Sequence, residues 1–137
     1  MNATEAVQLT RVVAALAPGT KITQDSPMAW AVVLDDVSLA DALTAARTVY
    51  RDQGSDRELG ARRLEPDDIL REVRRMRAVR LAAAPEYVPS SDDLTPAQQL
   101  DELRAYRRAV GDGHPPPQRA VEGPRRPIRI LTRGVDR

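Results

Sequence analysis

Five times along this chain a helix start is written out in full, and apolar residues at helical spacing follow each one. The fold is thereby confined to short helices. Asn2 can cap the first with Glu5 as its capping-box partner, and Val7, Leu9, Val12, Val13 and Leu16 follow until Pro18-Gly19 stops the run, predicting a helix over 3–16. Ser26-Pro27 reads as a cap followed by a first-turn proline, whose missing amide proton is no loss there. That second helix places Trp30, Val33 and Leu34 on one side and ends near Asp35-Asp36. Ser38 caps a third, with Asp41 in its first turn, where a negative charge suits the helix dipole, and Leu39, Ala42, Leu43, Ala46, Val49 and Tyr50 as its inner stripe. So few residues separate the second and third helices that the two are expected to pack on each other as a hairpin.

From Arg51 to Arg63 the chain is charged and broken by glycine, and a loop is expected. Glu65-Pro66-Asp67-Asp68 opens a fourth helix running to Ala83. Its apolar side holds Ile69, Leu70, Val73, Met76 and Val79, and Arg71, Arg74 and Arg75 cluster opposite. Arg77 and Arg80 fall nearer the apolar edge, where their stems can pack while their heads reach out. Thr95-Pro96-Ala97-Gln98 then starts a fifth helix with a thin seam of Leu100, Leu103, Tyr106 or Arg107, and Val110. After Gly111 the character changes: His114-Pro115-Pro116-Pro117 and Gly123-Pro124-Arg125-Arg126-Pro127 lead into a small apolar patch, Ile128-Arg129-Ile130-Leu131. The expected architecture is all-α: a four-helix head over 1–84, a linker over 85–94, an additional helix over 95–110, and a disordered, basic, Pro-rich tail over 111–137.

The 137 residues include no Phe and one Trp, so the core rests on aliphatic side chains of modest area. With no Cys, disulfides, thiolate nucleophiles and Cys-ligated zinc are excluded, and the single His114 beside three prolines cannot build a multi-histidine site. Gly54, Gly60, Gly111 and Gly113 are isolated and no Gly-Lys-Ser/Thr follows any of them, which argues against a phosphate loop. The pairs Asp35-Asp36, Asp67-Asp68 and Asp92-Asp93 each sit at a helix start or end, where acids serve capping and solubility rather than catalysis. No catalytic residue, cofactor or metal site is therefore expected. No stretch approaches the roughly twenty apolar residues of a membrane span, and no secretory leader is evident, so a cytoplasmic protein is expected.

The net charge of +1 hides alternating blocks: −3 over 1–61, +3 over 62–84, −2 over 85–110 and +3 over 111–137. Any nucleic-acid contact would be local to the two basic blocks. Arg71, Arg74 and Arg75 are candidate partner-binding residues, able to meet phosphate oxygens or an acidic protein groove. The plainer alternative is a solvated face paired with Asp67, Asp68 and Glu72 at helical spacing. No Asn, Gln or Ser accompanies these arginines on the helix, so base reading is not expected. Trp30 could anchor a partner, but its apolar stripe argues for the core. In the tail, Arg125, Arg126, Ile128, Ile130 and Leu131 combine charge with a β-favouring apolar patch, as linear binding motifs do.

One further pattern joins Trp30, Leu34, Asp35, Val37, Asp41, Ala42, Ala45 and Tyr50 to Leu64-Glu65-Pro66-Asp67-Asp68-Ile69 and the run from Val73 to Leu81. Over residues 4–82 the chain resembles the small phage proteins of the replicative helicase loader and inhibitor family. All but one of its Lys and Arg residues are Arg, which fits a phage or prophage of an actinobacterial host. The resemblance implies a helical N-terminal domain and a flexible C-terminal part that binds the hexameric helicase, the whole delivering it to an origin-bound protein. It carries over no catalytic residue. The loop from Arg51 to Arg63 is longer than the family's link, and the helix over 95–110 has no counterpart there. Two other classes stay open: a small DNA-binding regulator with a helix-turn-helix-like head, and a phage structural or assembly protein.

Overall fold

A computed structural model describes residues 1–53 and 63–114. The described residues form five α-helices and no strand: α1 (Ala3–Leu16), α2 (Ser26–Val33), α3 (Leu39–Asp52), α4 (Pro66–Ala83) and α5 (Pro96–Gly111). The all-α class holds. Of the tail expected over 111–137, Gly111 instead closes α5 and residues 112–114 are described, while 115–137 and most of the expected loop, 54–62, lie outside the described residues.

The starts follow from the capping chemistry. Asn2 Oδ1 accepts from the Glu5 amide at 2.9 Å while Glu5 Oε2 accepts from the Asn2 amide at 2.8 Å, closing a capping box. Thr95 and Gln98 close another at α5, and Ser38 Oγ accepts from the Asp41 amide at 3.2 Å at α3. At α4 the Glu65 amide donates to Asp68 Oδ2 at 3.3 Å, and Pro66 takes the first helical position. α2 corrects the expectation by one residue. Its N-cap is Asp25, without a side-chain cap, because Ser26 Oγ accepts instead from the Thr23 amide at 2.8 Å.

α1 lies against α2 and α3, and α4 against α2, α3 and α5. The expected α2–α3 hairpin does not form. The two helices are successive in sequence, but α2 turns to α1 and α4 while α3 fits between α1 and α4. Alanines explain the second choice: Ala42, Ala45 and Ala46 are fully buried and let neighbouring backbones approach α3 closely, which no bulky stripe would allow. Leu9 and Val13 from α1, Trp30 and Leu34 from α2 and just beyond it, and Ile69 and Val73 from α4 complete the core. Buried Trp30 is thus a core residue. Arg51 and Asp52, expected in the loop, form the last turn of α3.

Two polar ties hold the connections to this core. Thr20 Oγ1 accepts from the buried Leu64 amide at 2.8 Å, joining the α1–α2 link to the chain entering α4, and Gln53 Nε2 donates to the Arg63 carbonyl at 2.7 Å. Three apolar expectations fail. Leu100, expected in the seam of α5, is exposed. Val33 and Val79, expected to face inward, are exposed because α2 buries only one side of its short length and the last turns of α4 run past the α1–α3 core.

Candidate partner-binding surfaces

Arg77 and Arg80, placed by the helical period at the apolar edge of α4, become its most engaged side chains. The Arg80 guanidinium meets both oxygens of Asp41 at 2.5 and 2.9 Å and donates to the Gly111 carbonyl at 2.7 Å. Arg77 donates to Asp36 Oδ2 at 2.7 Å, to the Asp36 carbonyl at 2.5 Å and to Asp112 Oδ1 at 2.9 Å. One arginine therefore ties α4 to the start of α3 and the end of α5, and the other ties it to the residues after α2 and the end of α5. The Asp36 carboxyl sits below the usual carboxylate range: the Arg77 hydrogen bond lowers it, partial burial raises it in part, and the Arg77 and Arg74 charges lower it further.

The end of α5 has a matching backbone. Gly113 takes φ 79°, its amide bonds the Val110 carbonyl at 3.0 Å and the His114 amide bonds the Ala109 carbonyl at 2.9 Å. That Schellman turn needs the left-handed residue glycine supplies. It delivers the Gly111 carbonyl and Asp112 to the two arginines, so the folded part extends to His114.

The three arginines expected to bind a partner stand side by side on exposed α4, and two of them have acids at helical spacing. Arg71 pairs with Asp68 at 3.2 Å and Arg75 with Glu72 at 2.6 Å, their side chains 77% and 64% exposed. The Glu72 carboxyl is held below its usual range, chiefly by the Arg75 hydrogen bond. The Arg71–Asp68 pair is solvated and leaves the Arg71 head open to exchange partners, whereas Glu72 is itself buried, so Arg75 is held more firmly. Arg74 is exposed and has no ion pair among the described residues. Arg125, Arg126, Ile128, Ile130 and Leu131 lie outside the described residues.

Beyond α4, the 85–94 segment is fastened to α5. Glu102 accepts from Tyr87 Oη at 2.9 Å and from the Ser90 amide at 3.0 Å, and also from Ser90 Oγ. Tyr106 Oη donates to the Pro85 carbonyl, and the Tyr87 and Tyr106 rings meet at 5.5 Å between centroids.

The surface that periodicity did not reveal is the outer side of α2. Met28 is 70% exposed and Val32 72%, one turn apart on the same face, with exposed Ala29 and Val33 beside them. α2 has no charged residue of its own, and Asp25 and Asp35 flank it, both exposed. The signal was present in the sequence: an eight-residue helix that is apolar all round cannot bury every side in a small head. Among the described residues no three His, Cys, Asp or Glu groups are placed to hold a metal ion, and no helix is long and apolar enough to cross a membrane.

Compared with protein-family models, with curated proteins and with solved structures, the chain matches none of them.

Proposed function

We propose that this chain is a non-enzymatic adaptor that holds one protein on its helical head and a second through its C-terminal segment. The observation that carries the reading is the outer face of α2, where Met28 and Val32 stand 70% and 72% exposed on a helix with no charge of its own. A contiguous apolar face costs solubility unless something covers it, and a partner protein is the usual reason for one. The 111–137 segment, with Arg125, Arg126, Ile128, Ile130 and Leu131, supplies the second grip, and Arg71, Arg74 and Arg75 supply charge-assisted contacts.

In its most specific form the adaptor is a phage-type replicative helicase loader or inhibitor. That identity rests on the resemblance over residues 4–82: the head takes an origin-binding or other replication protein, and the C-terminal segment takes the replicative helicase in the host cytoplasm. A DNA-binding head built like a helix-turn-helix draws less support, since α2 and α3 do not pack on each other.

The test is a pull-down from the host at low and high salt, using the full chain, a chain ending at His114 and a full-length Val32→Glu variant. Ending at His114 keeps Gly111 and Asp112, which Arg80 and Arg77 hold. The expected result is recovery of a replicative helicase by the full chain alone of the first two, and loss of a second protein with Val32→Glu. Salt-sensitive recovery of nucleic acid by all three, without helicase, overturns the reading.

A further inference from the structure

We infer that the outer face of α2 is the docking place of this chain's own segment 125–131, bound in cis while no partner is present. Its consequence rests on the adaptor reading: the two grips cover each other in the free protein, and a partner on either one releases the other. The contact itself rests on three observations.

The first is where the chain leaves the described fold. Asp112, two residues before His114, shares the Arg77 guanidinium with Asp36, which lies three residues beyond the end of α2. The C-terminal segment thus departs one guanidinium away from the residues that follow α2. The second is reach. Ile128 lies fourteen positions beyond His114, enough for roughly 45 Å when extended, whereas α2 is about 12 Å long. A tether of that length presents its end at an effective concentration on the order of millimolar, so a weak contact suffices.

The third is chemistry. α2 is an apolar face bracketed by the exposed carboxylates of Asp25 and Asp35, and the Met1 ammonium already meets the Leu34 and Asp35 carbonyls at its C-terminal end. The segment is its complement, with Ile128, Ile130 and Leu131 set among Arg125, Arg126 and Arg129. A second copy of the head fits less well, because two α2 faces packed antiparallel would bring Asp25 of each against Asp35 of the other.

The contact is tested on the full chain carrying a benzophenone photo-cross-linker at position 32, irradiated across a range of protein concentrations and mapped by mass spectrometry. The expected product is an intrachain link to residues 125–131 whose yield does not change with concentration. Paired Ile130→Asp and Leu131→Asp substitutions, which leave the described fold untouched, are expected to lower that yield about tenfold. Links to other copies alone, no link to 125–131, or an equal yield from a probe at exposed Val79 overturn the inference. No partner protein enters the experiment, so a failed pull-down leaves a positive cross-link standing, and a failed cross-link leaves the adaptor reading to its own test.

Discussion

Arg80 shows what one residue does in this molecule. Asp41 was legible as the acid in the first turn of α3, and the helical period placed Arg80 at the edge of the α4 stripe. Their pairing was not legible, because the two are 39 residues apart and only the packing of α3 on α4 brings them together. Once packed, the Asp41 side chain is 8% exposed, with Arg80 as its ionic partner. Removing the guanidinium strands a carboxylate with little access to water. Arg80→Ala is therefore expected to cost about 3 kcal/mol, and the Arg80→Ala/Asp41→Ala double variant less than that single change. Urea denaturation followed by Trp30 fluorescence reads both. A loss below about 1 kcal/mol for the single variant would place the pair with ordinary surface ion pairs instead.

The elements were the most legible level, and the reason is local. Caps and first-turn prolines act within one turn of helix, so the starts of α1, α3, α4 and α5 could be read from neighbouring residues, and α2 missed its cap by one position when Thr23 claimed Ser26. Which helix packs on which depends instead on side-chain size across the whole head. The buried alanines of α3 drew it in between α1 and α4 and broke the expected hairpin with α2. The connection before α5 repeats the lesson: 85–94 reads as a polar linker, yet Glu102 collects the Tyr87 hydroxyl and the Ser90 amide and fastens the segment to the helix. Glu102→Ala should free it. The Ser90 amide is expected to exchange with solvent about tenfold faster, while the melting temperature of the head moves little, as read by hydrogen exchange and circular dichroism. Unchanged exchange at Ser90 would mean that the tyrosine contact holds the segment without Glu102.

Across the molecule, a core without phenylalanine is supplemented by charged ties, and those ties fix how the fold answers to pH. Arg77 joins the end of α2 to the end of α5 through Asp36 and Asp112, and the Asp36 and Glu72 carboxyls are both held below their usual range by arginine hydrogen bonds. A carboxyl whose folded pKa is depressed binds fewer protons in the folded than in the unfolded state. Its contribution is complete above the ordinary carboxylate pKa and is lost as the pH falls through the lowered folded value. Arg77 itself is raised: burial works against its charge, but Asp36 and Asp112 outweigh burial, so Arg77 stays charged across this range. The melting temperature should then be level between about pH 8 and pH 5 and fall below about pH 4. Asp36→Asn keeps an oxygen for Arg77 but removes the titrating charge, so this variant should start lower at neutral pH and decline less steeply in acid. Parallel acid profiles for the two proteins would show that Asp36 does not carry the acid response. In that case Glu72, which reaches Arg75 within a single helix, is the group to replace next, and its effect should remain local to α4 because its tie joins no second element.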